Sequence, residues 1–293
     1  MKIFLAIIMS FALISCKESP KNDIDFYDDF SYEKYAVENS YTKIALDKNW
    51  QFADFSKIST GTAHLYKADS RKNITIAINA GHGTKGGSAI KTYSHPDKTP
   101  KLTGGTTEAG AIYSTAVSSG MTFLCGLSEA EANLRVAVVL RKLLLENGYD
   151  VLMIRDDEDV QLDNIARTVI SNNNATIHIA IHFDGDGKKY DKGVFYCGIP
   201  DGLKSLENVK KHYSESEHLG RCLINGLQEQ GIKVFGTGRS EVDLTQTSYS
   251  TIPSIDIELG NQSTLPTTEN IEKRANGIMT GIHEYLEHKG REY

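Results

Sequence analysis

The chain has 293 residues, with 32 Lys and Arg against 38 Asp and Glu, a formal net charge of −6. Removing the first fifteen residues removes only Lys2 and leaves 31 basic against 38 acidic groups. No basic stripe is present to pair phosphates, which argues against nucleic acid as a partner. The remaining length suits one large α/β domain plus a tether.

Met1 to Cys16 reads as a targeting segment. Lys2 supplies a positive start, and Ile3 to Ile14 is an apolar run too short to span a bilayer. The run ends Leu13-Ile14-Ser15-Cys16, which resembles the lipobox of bacterial lipoproteins. There the leader, here residues 1–15, is cut before the cysteine, which then carries lipid. Each buried methylene of such a chain adds roughly 0.8 kcal/mol, so several acyl chains on Cys16 make a stable anchor. The protein is expected in the cell envelope, a lipid-anchored lipoprotein facing the periplasm or exterior. Three further cysteines, Cys125, Cys197 and Cys222, include no Cys-x-x-Cys pair, which argues against a structural zinc knuckle. In an oxidising compartment two of them can pair, and the sequence does not say which.

Residues 16–70 read as a tether and N-terminal extension. The extension is acidic, and its aromatic residues Tyr27, Phe30, Tyr35, Trp50 and Phe55 predict that its later part packs on the main domain. The stretch from Ile74 to Gly87, ITIAINAGHGTKGG, then reads as a buried strand that stops at Gly81, His82 and Gly83. Glycines there bring backbone close to the strand end and leave His82 unobstructed. By itself the stretch fits a tight turn with a surface histidine equally well.

A Gly-, Thr- and Ser-rich passage from Ser88 to Leu127 follows, long enough to border a site. Ser128 and Glu131 form a capping box that opens a helix ending at Gly148. Next come a strand from Tyr149 to Ile154, a helix from Val160 to Ile170, and strands from Thr176 to Phe183 and Gly193 to Cys197. A helix from Ser214 to Gln230, a strand from Ser254 to Leu259 and a helix from Glu269 to His288 complete the chain. This alternation predicts an α/β fold, a twisted, mainly parallel central sheet with helices on both faces. A catalytic domain is expected over residues 71–293.

Strand ends of a parallel sheet share one edge. His82, His182 and Glu258 all stand at such ends. Of the two glutamates opening the first helix, the capping box uses Glu131 and leaves Glu129 free. His82, Glu129 and His182 then make a two-histidine, one-glutamate set of the kind that holds zinc with one position open for water. Zinc lowers the pKa of that water to roughly 7, and Glu258 is placed to act as its general base. His178 shares a face with His182, but four residues of strand separate them by roughly 13 Å, so both cannot bind one ion. His178 reads as a core or supporting histidine.

Four blocks, AINAGHG, SEAEANLRVAVVLRKLLLENGYDVLMIRDDEDVQLDNIAR, ATIHIAIHFD and IPSIDIELGNQS, together resemble the zinc-dependent N-acetylmuramoyl-L-alanine amidases, bacterial cell-wall hydrolases. The resemblance runs from about Ile74 to the last helix, with a long insertion. It implies metal ligands at His82, Glu129 and His182, a catalytic glutamate at Glu258, and Zn2+ as the metal. It implies cleavage of the amide between the lactyl group of N-acetylmuramic acid and L-alanine in peptidoglycan. The ligand glutamate of the family stands four residues before an Asn-Leu pair, here Asn133-Leu134, which again selects Glu129. Two departures concern substrate binding: the loop before Glu129 is much longer than usual, and Thr245 to Ile252 lacks the arginine many members carry there, offering only Gln246. The alternatives are a related metallohydrolase cutting another amide and a non-catalytic wall-binding regulator. The segment before Ser70 and the loop from Ser88 to Leu127 are both candidates to cover the site.

Overall fold

The computed structural model describes residues 28–289. The expected leader, residues 1–15, and Cys16, the residue expected to carry lipid, lie outside the described residues. In chain order the elements are β1 (Tyr41–Ala45), β2 (Thr62–Tyr66), β3 (Thr75–Ala80), β4 (Lys91–Tyr93), β5 (Tyr113–Thr115), α1 (Glu129–Glu146), β6 (Asp150–Met153) and α2 (Asn164–Asn174). They continue with β7 (Ile177–Asp184), β8 (Val194–Gly198), α3 (Tyr213–Glu229), β9 (Val234–Glu241), α4 (Thr245–Tyr249), β10 (Ser254–Asn261) and α5 (Thr268–Lys289).

Eight strands form one sheet in the order β1-β2-β6-β3-β7-β10-β8-β9. The central run β6-β3-β7-β10 is parallel, as the alternation of strands and helices predicts. β2 and β1 add an antiparallel edge, and β8 joins the other side antiparallel to β10. Burial on both faces explains why the central strands are almost continuously apolar. Ile76, Ile78, Ile179, Ile181, Ile255 and Ile257 pack with α1, α3 and α5. Ala77, Leu152 and Ile154 face the other way, against Ala166 and Ile170 of α2. Each of these large side chains contributes roughly 1.5–3 kcal/mol on burial.

β4, β5, β9 and α4 have no counterpart in the sequence expectation, and one helix differs from its expected bounds for a local reason. The second helix begins at Asn164 rather than Val160, because Asp163 caps it, accepting from the Ala166 N–H at 2.8 Å. Val160 and Leu162 are buried in the preceding loop instead. The N-terminal extension packs on the main body as expected, and it also supplies β1 and β2. Ahead of them, Asp28 grips the Arg135 guanidinium at 2.8 and 2.7 Å, and the Phe30 ring lies 5.0 Å from it. The three described cysteines are all free thiols. No described helix is long and apolar enough to cross a membrane.

Chain order reverses between β3 and β7: from β3 the chain passes through α1 to β6 on one side, then through α2 to β7 on the other. The crevice beyond the carboxyl ends of the strands at such a reversal is where open α/β sheets bind ligands.

Candidate metal centre and active site

Each candidate side chain reaches that crevice by a separate route. His82 follows β3 in a left-handed conformation, φ 63°. A non-glycine residue holds this backbone only when its surroundings impose it. Here Arg167 Nη2 donates to the His82 carbonyl at 2.6 Å, and Arg155 Nη2 donates to the Gly81 carbonyl at 3.0 Å. Both arginines are almost fully buried. His182 lies near the end of β7, directly beside Glu258 in the β7–β10 register. Gly81 allows this approach, since a Cβ there would lie 2.1 Å from the His182 ring.

Glu129 opens α1. The Ser128 hydroxyl accepts from the Glu131 N–H at 3.2 Å, but the Glu131 carboxylate turns to Arg135 at 2.8 Å instead of closing the capping box. Glu129 points into the protein, only 3% exposed. Its carboxylate accepts from the Met121 N–H at 2.9 Å and the Phe183 N–H at 3.1 Å.

The structure brings His82, Glu129 and His182 together. His82 Nε2 lies 2.8 Å from Glu129 Oε1, His182 Nδ1 lies 3.0 Å from the same oxygen, and the two nitrogens are 3.1 Å apart. His82 Nδ1 is 2.8 Å from the Ser118 carbonyl, which can only accept. That contact puts the hydrogen on Nδ1 and turns the Nε2 lone pair toward Glu129. Electron-rich atoms this close repel unless a cation or a shared proton lies among them, so the donor set fits a metal ion. Burial opposes charge on Glu129, yet His182 and His82 outweigh it and hold the carboxyl far below the ordinary glutamate range. Burial likewise opposes charge on His182, but Asp256, Glu129 and Glu258 carry it up to about 10.

Glu258 stands on the same face of β10 as Asp256. Burial, then the Asp256 carboxyl, push Glu258 well above the ordinary range, and its Oε2 is shielded with no hydrogen-bond partner. His178 is fully buried away from the set, 3.4 Å from the Ser254 hydroxyl, and burial with nearby Arg167 lowers it to about 3.

The four side chains line a cleft of about 840 Å³. Among the described residues none before Asn79 lines it, so residues 28–70 of the N-terminal extension do not cover it. The insertion does border it, through Lys101, Gly104 to Thr107, Ser114, Thr115 and Val117 to Met121. β4 and β5 pair within the insertion, and Asp243 clamps it. The Asp243 carboxylate receives the Leu102 N–H at 2.6 Å and sits 2.9 Å from His95 Nε2, with Asp243 and His95 both buried. The basic groups facing the cleft are Lys101, Arg167 and Lys192. Gln246 also lines the cleft, with its Nε2 donating to the Ser254 hydroxyl and the Ile255 carbonyl.

Sequence reasoning missed Asp256, Ser118, Gly120 and the two arginines under the His82 loop. Asp256 had a readable signal: between Ile255 and Ile257 of a buried strand, it shares a face with Glu258.

A family model described as N-acetylmuramoyl-L-alanine amidase matches residues 76–284. Among solved structures, the N-acetylmuramyl-L-alanine amidase Ami1 of Mycobacterium smegmatis aligns with TM-score 0.62 at 16% identity, over 73% of this chain and 97% of that one. The apo Ami1 of Mycobacterium abscessus aligns with TM-score 0.58 at 19% identity, over 73% and 99%. The CwlD amidase of Clostridioides difficile, solved in complex with the GerS lipoprotein, aligns with TM-score 0.53 at 22% identity, over 73% and 99%. No curated protein matches the sequence.

Proposed function

The chain belongs to the N-acetylmuramoyl-L-alanine amidase family, and we propose that His82, Glu129 and His182 hold a zinc ion while Glu258 moves the protons of hydrolysis. The reaction is hydrolysis of the amide between the lactyl group of N-acetylmuramic acid and L-alanine in peptidoglycan. One observation carries the residue assignment: three ligand atoms converge within 3.1 Å of one another beside a carboxyl with an unpartnered buried oxygen. Zinc at this set would polarise the scissile carbonyl and acidify water.

The rest of the work falls to the chain. Arg155 and Arg167 fix the loop that presents His82. Ser118 holds the His82 ring by its far nitrogen. Glu258 takes a proton from the attacking water and delivers it to the nitrogen of the leaving L-alanine. Burial and the Asp256 carboxyl raise its pKa above the ordinary glutamate range, which favours a group that both accepts and returns a proton. Metal analysis together with an assay for freed L-alanine amino termini tests this reading. One zinc per chain, with product lost on chelation, is expected; product that persists without metal overturns it.

The insertion favours a second reading within the same chemistry, a different amide. It supplies Lys101 and Thr106 to the cleft, and Thr245 to Ile252 offers no basic group. Hydrolysis of a small defined amide with peptidoglycan left intact would favour it.

The catalytic domain spans residues 71–293 in this reading, with lipid on Cys16 holding the enzyme in the envelope. Twelve residue steps separate Cys16 from Asp28, a reach of at most about 43 Å. Cys16→Ala should release the protein from membranes and abolish labelling by a fatty-acid analogue; unchanged labelling would refute the anchor.

A further inference from the structure

We propose that Cys197, Asp256 and Glu258 form a second cation site, for a thiophilic divalent ion such as Zn2+, Co2+ or Cd2+, whose occupation inhibits the enzyme. The inhibitory part rests on Glu258 being the general base.

β8 and β10 run antiparallel with Ile257 opposite Tyr196 and Glu258 opposite Phe195. One more step of that register sets Asp256 opposite Cys197, and opposed residues share a face. Alternation puts Glu258 on the same face as Asp256. One ligand atom from each of the three lies within 4.8 Å of the other two. Cys197 Sγ is 3.9 Å from Asp256 Oδ1, and Asp256 Oδ2 is 3.7 Å from His182 Nε2. Cys197 and Asp256 are 4% and 8% exposed, and Glu258 Oε2 is shielded without a partner.

The two sites lie on opposite sides of one ring. The first set uses His182 Nδ1, whereas the second lies beyond Nε2. All three residues line the catalytic cleft, so an ion reaches them without the fold opening. The donors select the ion: a thiolate with two carboxylates suits zinc and its soft congeners, whereas calcium and magnesium need more oxygens and no sulfur. On binding, a metal–sulfur bond forms and the Cys197 thiol proton leaves to solvent. A Glu258 carboxylate bound to this ion cannot accept a proton from water. Activity should therefore rise with the first equivalent of metal and fall with the second.

Cobalt distinguishes the sites, because only the second contains sulfur. Metal-free full-length protein in detergent is titrated with Co2+. The first equivalent should bind without a sulfur-to-cobalt charge-transfer band, and the second should bring that band in the near ultraviolet. Cys197→Ser should abolish the band, Cys222→Ser should keep it, and Asp256→Asn should weaken the second binding by at least about tenfold. His82→Ala should lose the first site and retain the band, with circular dichroism checking that each variant folds. Saturation at one cobalt without the band, or a band that survives Cys197→Ser, overturns the second site. A band with no peptidoglycan hydrolysis at any metal level leaves the site standing and refutes the amidase assignment and the inhibition built on it. Hydrolysis unaffected by a second bound cobalt refutes the inhibition alone.

Discussion

Glu129 shows how much a single side chain is asked to do at this centre. Its carboxylate caps two backbone N–H groups and meets both histidines, so its position depends on Met121 and Phe183 as much as on α1. Gly120 completes that shell: at φ 80°, a Cβ would lie 2.7 Å from His82 Cδ2 and 2.8 Å from Glu129 Oε2. Gly120→Ala should therefore weaken metal affinity about 10- to 100-fold, as measured by competition with a chromogenic chelator. Affinity equal to wild type would show that the insertion does not shape the centre. Glu258 is set apart from the ligands, so Glu258→Gln should lower turnover by about 10²–10⁴-fold with the metal retained. Loss of metal in that variant would instead make Glu258 a ligand. The four side chains could be picked from the sequence because each ends or opens an element with a strong local pattern. Their supports could not: Ser118 meets His82, and Arg155 meets Ala130, only through the fold, and no periodicity marks such pairs.

At the scale of elements, the parallel core follows from the strand–helix alternation, whereas the edges do not. β1 is largely exposed and has no apolar stripe, so nothing in its composition separates it from a loop. The insertion is similar, held by polar clamps rather than by a core of its own. Asp243 is its anchor, and its charge predicts a pH dependence. Burial would raise the Asp243 pKa, but the His95 and Leu102 N–H contacts and nearby Lys101 outweigh burial and hold it below the ordinary carboxylate range. A carboxyl depressed in the folded state adds stability above its unfolded pKa of about 3.9, and loses it as pH falls through the lower folded value. Asp243→Asn should thus be less stable than wild type at pH 7 by about 1–3 kcal/mol, the cost of a buried bond left badly made. The gap should narrow as pH falls below about 4. Urea midpoints of the two proteins across pH 3–7 test this, and a constant gap would mean that Asp243 is already uncharged.

At the scale of the whole molecule, the first described residues are tied to the catalytic body from two directions. β2 pairs with β6, the edge of the parallel core. Tyr66 and Arg141 share the Asp156 carboxylate, with Arg141 Nη1 at 2.7 Å. Farther forward, Asp28 holds Arg135 on α1, while Tyr35 donates to Glu272 on α5 at 2.7 Å. A chain starting at residue 71 would expose the β6 edge, take Asp28 from Arg135, and take Tyr66 and the Tyr35 carbonyl from Arg141, which keeps Asp156, so the loss should be cooperative. Unpaired edges are also templates for association. The shortened chain is expected to melt well below one starting at residue 28, by more than the roughly 2–4 °C that 1 kcal/mol shifts a domain of this size. It should also show increased self-association by light scattering. Its metal site need not be lost at low temperature, since among the described residues none before Asn79 lines the cleft. Retained zinc with a lowered melting point is therefore the expected pair of results. Equal melting points would make residues 28–70 a passive extension of the catalytic body. Loss of zinc at a temperature where the shortened chain is still folded would mean that the extension acts on the metal centre through α1, whose first residue is Glu129.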